Sequence, residues 1–199
     1  MTTMRSIEPH VDFSISTDAS SATRTPNEGP GFIHVYTGDG KGKTTAALGL
    51  ALRAAGAGWP VFFGQFAKCG EFSEMAALER FADRVTVRQF GAEYFIEDLP
   101  EEADVDRAAS GLCELREAIF SGDYRLVVLD EINCAVGLGL LPLVDVLSLM
   151  DEKPEDVELV LTGRWARDEV IDRADLVTEM REVKHYYQEG VVARTGIEK

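Results

Sequence analysis

From residue 31 onward, short runs of apolar and β-branched residues alternate with stretches whose apolar positions recur at helical spacing. The runs "FIHVYT" (32–37), "VFFGQF" (61–66), "VTVRQF" (85–90), "LVVLD" (126–130) and "ELVLTG" (158–163) read as strands. Several are apolar at nearly every residue, as in a parallel sheet covered on both faces. Helices fit between them, over 43–55, 71–81, 101–120, 141–150 and 166–173. The alternation predicts βαβ units, hence an α/β fold with a mostly parallel central sheet and helices on both faces. Residues 1–29 are rich in Ser, Thr, Asp and Pro, with too few apolar residues for a core. The pattern thus predicts a flexible N-terminal tail, 1–29, ahead of a single domain, 30–199. Val11, Phe13 and Ile15 alternate with polar residues, which leaves open that this part of the tail docks on another surface.

Composition narrows the function classes. At 199 residues and 45% apolar content, the chain suits one α/β domain with a two-sided core. Its 35 acidic and 20 basic residues give a net charge of −15, which argues against nonspecific binding to nucleic acid or to an anionic membrane. No run of about 18 apolar residues occurs and the first thirty residues lack the apolar core of a secretion signal, so a cytoplasmic location is expected. Cys69, Cys113 and Cys134 show no paired metal spacing and read as ordinary thiols.

Against that acidic background, the stretch "TGDGKGKTT" (37–45) sits directly after one predicted strand and directly before a helix. Gly38, Gly40 and Gly42 allow backbone N–H groups to turn inward, and the positive end of the following helix adds to an anion cradle. Lys43 is placed to reach a phosphate oxygen, and Thr44 occupies the position that holds Mg²⁺ in such loops. The loop nevertheless departs from the usual spacing, since Thr37 stands where the first glycine belongs. A second buried strand ends in Asp130 and Glu131, either of which could ligate Mg²⁺ directly or through water. No arginine-rich lid is visible, and none of the histidines reads as a base: His10 lies in the tail, His185 near the end, and His34 inside a strand with its ring bonded locally.

Together, "TGDGKGKTTAALGLALRAAGAG", "VFFGQFAK", "VVLDEI", "LPL", "LTGR" (161–164) and the ending "VKHYYQEGVVARTGIE" resemble the P-loop type of ATP:corrinoid adenosyltransferases, over 32–198. The resemblance implies a RecA-like P-loop NTPase fold. It also implies transfer of the 5′-deoxyadenosyl group of ATP to the cobalt of a reduced Co(I) corrinoid, with triphosphate as leaving group. ATP would lie in the loop in reverse of the usual direction, with its 5′ carbon towards the corrinoid. Because Co(I) is itself a strong nucleophile, no protein base is required. Carried over by position, Gly38, Asp39, Gly40, Lys41, Gly42, Lys43, Thr44 and Thr45 bind the triphosphate, with Asp39 pointing outward as a turn residue. Thr44 and Glu131, with Asp130 as a further candidate, hold Mg²⁺. Arg164 and Lys68 are candidates to face the nucleotide, surface salt pairing being the alternative for Lys68.

The corrinoid side rests on "QFGAEYFIEDLP" (89–100), which departs from the family's aromatic loop: Ala92 and Tyr94 stand where Phe and Trp are expected. Phe90, Tyr94 and Phe95 are its corrinoid-binding candidates, with closure of the core edge as the alternative for the last two. The resemblance further implies a homodimer, a flavoprotein electron donor, and an N-terminal segment lying over the corrinoid site of a partner subunit. Two other readings of the same motifs stay open: an ATPase or phosphotransferase, and a non-catalytic module that binds ATP and corrinoid.

Overall fold

The computed structural model describes residues 29–66, 72–91 and 100–198. Among the described residues six strands form one sheet: β1 (Ile33–Thr37), β2 (Val61–Gln65), β3 (Val85–Gln89), β4 (Leu126–Asp130), β5 (Glu158–Thr162) and β6 (Leu176–Glu179). All described pairings are parallel, in the order β3-β2-β4-β5-β1-β6. Strand β5 therefore separates the glycine-loop strand β1 from the acid-bearing strand β4, giving the RecA-like P-loop arrangement. The helices are α1 (Lys43–Gly56), α2 (Ser73–Leu78), α3 (Glu102–Phe120), α4 (Ile132–Gly137), α5 (Leu143–Glu152) and α6 (Asp168–Arg173), with 3₁₀ turns at Glu79–Phe81 and Tyr186–Glu189.

Successive residues of each central strand feed opposite faces. In β4, Leu126 and Val128 join the core under α1, while Val127 and Leu129 join the core under α3 and α5. The α1 contact is made by Ala47, Ala51, Ala54 and Ala55, whose spacing puts small side chains on one stripe. That close approach fixes the helix whose first turn carries Lys43 and Thr44.

Several elements differ from the sequence expectation. The helix expected at 141–150 begins at Leu143, because Pro142 is the extended N-cap and Leu141, the residue before a proline, is disfavoured in helical backbone. The segment expected as one helix at 71–81 is α2 followed by a 3₁₀ turn. The short α4, directly after β4, and the edge strand β6 were not anticipated. All four residues of β6 are exposed, so it lacks the apolar signature of a central strand.

Thr37 stands in place of a glycine because β1 still runs through it: its carbonyl accepts from Met180 N at 2.8 Å, just beyond β6. The turn starts one residue later, at Gly38, with φ 92°. A Cβ there would lie 2.4 Å from the Met180 carbonyl oxygen.

Two glycines give a paired test of the packing. Gly49 lies in α1 with open space around it, so Gly49→Ala should stabilise the protein by about 0.5–1 kcal/mol through helix propensity alone. Gly111 in α3 faces Phe90, where a new Cβ would sit 2.3 Å from Cγ of the ring and 2.7 Å from its Cβ. Overpacking of roughly 1–3 kcal/mol should outweigh the same propensity gain. Thermal melts should show opposite shifts, on the order of 2–4 °C per kcal/mol.

Candidate functional site

The carboxyl ends of the strands open into one cleft of about 770 Å³. In open α/β sheets this is the edge where ligands bind. Asp39, Gly40, Lys41, Gly42, Lys43, Thr44 and Thr45 wall it on one side. Gly38 does not wall the cleft, but its carbonyl accepts a 2.7 Å bond from Lys43 Nζ, which also donates to the Gly40 carbonyl at 2.8 Å. Only 7% of Lys43 is exposed, and burial pushes its ammonium below the usual lysine range, partly offset by the negative Glu131. Asp39 is exposed, as expected of a turn residue, and its carbonyl accepts a long 3.4 Å contact from Arg164 Nη2. Arg164 itself lines the cleft.

Beneath Thr44 sits Asp130, with no solvent exposure. Its carboxylate accepts from Thr44 Oγ1 at 3.2 Å, Gln65 Nε2 at 2.9 Å and Thr162 Oγ1 at 2.7 Å. Gln65 Oε1 in turn accepts from Gln89 Nε2 at 3.0 Å. The tips of β2, β3, β4 and β5 and the start of α1 are thereby tied to one acid. Gln65 and Thr162 were not identified from sequence. Each is a polar residue closing a mainly apolar strand, but which carboxylate it serves is decided by strand pairing alone.

The two neighbouring acids are not equivalent. Asp130 is buried behind Thr44, whereas Glu131 faces the cleft. Glu131 adopts left-handed backbone, φ 60°, at the start of α4, which costs a non-glycine residue on the order of 1–3 kcal/mol. Its N–H donates to Thr162 Oγ1 at 2.9 Å, and its Oε2 accepts from the Cys134 thiol at 2.8 Å. Cys134 Sγ also accepts from Arg164 N at 3.2 Å. Burial, then the charge of Glu131, push the Cys134 thiol up to about 12, so it remains a donor. Cys134 is therefore more than an ordinary thiol: it lines the cleft and orients a carboxylate.

The remaining walls are apolar or come from the end of the chain. Phe66, Phe90, Leu138, Leu140 and Trp165 line the cleft, with Phe66 and Phe90 in tilted contact at 5.3 Å. Of the expected corrinoid-side residues, Phe90 is thus brought to the cleft. Tyr94 and Phe95 lie outside the described residues, as do Lys68 and residues 1–28. Lys41 Nζ donates to the Ile197 carbonyl at 3.0 Å, fastening the closing segment to the loop. That segment is held by Glu198, which accepts from Tyr186 and from Arg194, keeping its carboxyl at about 2. His185, set aside on sequence, lines the cleft with Nδ1 accepting from Tyr187 N. His34 is bonded locally as expected, to Glu158 and Tyr36.

Among the described residues no group of three or more His, Cys, Asp or Glu side chains forms a metal cage, and no helix is long and apolar enough to cross a membrane. The arrangement supplies a cationic cradle (Lys41, Lys43, Arg164) joined to an apolar hollow within one cavity.

Comparison with known proteins gives this geometry a family. Residues 29–198 match the model of ATP:corrinoid adenosyltransferase BtuR/CobO/CobP. A corrinoid adenosyltransferase from Pseudomonas aeruginosa is 36% identical over 169 residues, spanning 84% of this chain and 83% of the relative. Corrinoid adenosyltransferase CobA from Salmonella typhimurium is 36% identical over 170 residues, spanning 84% and 85%. Among solved structures, a KaiC-like protein from Pyrococcus horikoshii shares the fold, with a TM-score of 0.51 at 16% identity over 78% of this chain and 74% of that one. The chain accordingly belongs to the ATP:corrinoid adenosyltransferase family, as a transferase that adenosylates corrinoids with ATP.

Proposed function

We propose that ATP binds with its triphosphate on the Gly38–Thr45 loop and its 5′ carbon towards the Phe66 and Phe90 side of the apolar hollow, where a reduced corrinoid is seated. The electron pair of Co(I) attacks the 5′ carbon, a cobalt–carbon bond forms, and the carbon–oxygen bond to the triphosphate breaks. The single observation that carries this reading is the continuity of the cationic cradle with the apolar hollow in one cleft. A nucleotide and a large apolar-faced tetrapyrrole need to meet in such a space. Since the nucleophile brings its own electron pair, the protein supplies position and neutralises the leaving group. Lys43, Lys41 and Arg164 do the latter, and the helix α1 N-terminus adds to them.

The donor set around Thr44 suits Mg²⁺: hard oxygens from one hydroxyl and two carboxylates, without a closed cage. Mg²⁺ commonly keeps several waters and takes one or two carboxylates beside phosphates. Thr44 and Glu131 would hold it, with Asp130 behind them orienting Thr44. When bound, the ion spreads the negative charge of the triphosphate. The same reading takes 30–199 as the catalytic domain, residues 1–29 as a cover over the corrinoid site of a partner subunit in a homodimer, and Tyr94 and Phe95 as further corrinoid contacts. It places the enzyme in the cytoplasm with a flavoprotein as electron donor.

The test is to incubate the protein with ATP, Mg²⁺ and chemically reduced cobalamin. Triphosphate and an alkyl-cobalt spectrum are expected. ADP or orthophosphate instead would mean phosphoryl transfer or hydrolysis, and unchanged ATP with bound corrinoid would mean a binding module. Lys43→Ala should lower kcat/KM by roughly 10²-fold or more, as for loss of a charge-stabilising donor. Glu131→Gln should raise the Mg²⁺ concentration for half-maximal rate about tenfold while leaving corrinoid binding unchanged, read from rate against Mg²⁺ and from corrinoid titration.

A further inference from the structure

Trp165 is a large ring in an unusual place. Its backbone is left-handed, φ 62°, a conformation that bulky residues rarely adopt. Hydrogen bonds pin the chain on both sides: Arg164 N donates to Cys134 Sγ at 3.2 Å, and Ala166 N to Thr37 Oγ1 at 3.4 Å. One edge of the indole is seated against Gly137, where an added Cβ would come within 2.8 Å of the ring. Yet 55% of Trp165 is exposed, and the residue lines the cleft beside Leu138 and Leu140. Glycine would satisfy this backbone with less strain, and core packing does not account for an indole half open to solvent.

We propose that the indole of Trp165 is the stacking platform for the adenine base of ATP. The inference rests on the reading of the cleft as the ATP site and adds the residue that recognises the base. A purine needs a flat π-face and tolerates any aromatic partner that offers one. The cleft residues carrying positive charge suit the triphosphate, whereas Trp165, Leu138 and Leu140 supply apolar surface in the same cavity. Trp165 follows Arg164, whose guanidinium contacts the loop at the Asp39 carbonyl, and precedes Ala166, bonded to Thr37 at the end of β1, just before the loop. Its position is thus locked to the triphosphate anchor. The base is joined covalently to that triphosphate, so adenine is the occupant these ties favour.

The experiment compares the full wild-type chain with Trp165→Gly and Trp165→Phe. Each is titrated with ATP and Mg²⁺, with inorganic tripolyphosphate and Mg²⁺, and with cobalamin at saturating ATP. Trp165→Gly relieves the left-handed strain, so a melting temperature no lower than wild type is expected and separates loss of affinity from loss of fold. Its Kd for ATP should rise about tenfold, while the tripolyphosphate and cobalamin affinities stay unchanged. Trp165→Phe, which keeps a ring, should stay within roughly threefold of wild type for ATP. ATP should quench tryptophan fluorescence in the wild type, and the quench should vanish in both variants, where only Trp59 remains. Equal weakening towards ATP and tripolyphosphate would overturn the proposal by making Trp165 a support of the loop. Weakened cobalamin binding with unchanged ATP affinity would overturn it by making the indole a corrin contact. A wild type that binds neither ATP nor tripolyphosphate would overturn the phosphate-loop reading itself, and this inference with it.

Discussion

The site depends on a single buried carboxylate. Asp130 has no contact with solvent, and a buried charge without partners costs several kcal/mol. Its donors come from Thr44 on α1, Gln65 on β2 and Thr162 on β5, so satisfying the charge aligns three elements around the tip of β4. Because β5 lies between the loop strand and the acid strand, Thr162 is the bridge between the two halves of the site. Its hydroxyl donates to Asp130 and accepts from the N–H of Glu131, linking the hidden acid to the one that faces the cleft.

Lys41, Lys43 and Arg164 gather at the glycine loop of a molecule whose overall charge is strongly negative. A net charge of −15 repels polyanions in general, while Lys43 sits among loop carbonyls and Lys41 and Arg164 lie on the rim. The displaced first glycine follows from the same neighbourhood. Thr37 continues β1 because β6 and Met180 pair alongside it, and the turn is deferred to Gly38.

Much of this was legible in the sequence. Buried strands announced themselves through continuous apolar runs, and the loop through its glycines and lysines between a strand and a helix. What stayed hidden was what tertiary pairing alone decides. Edge strand β6 is exposed and polar enough to pass for loop, and α4 is too short for a periodic signal. Gln65, Thr162 and Cys134 acquire meaning only when distant strand tips are brought side by side. Trp165 and His185 look ordinary in sequence, since neither a left-handed backbone nor a place on a cavity wall can be read from residue type.

Strand β1, first of the described strands, is flanked by the last two of them: Ile33 pairs with Leu159 and His34 with Leu176. Such distant pairings bring high contact order, and the entropy of closing long loops must be overcome before they form. The glycine loop therefore gains its strand neighbours late. On the ribosome both edges of β1 stay unpaired until β5 emerges, and the edge beside the glycine turn stays open to other chains until residues beyond 176 follow.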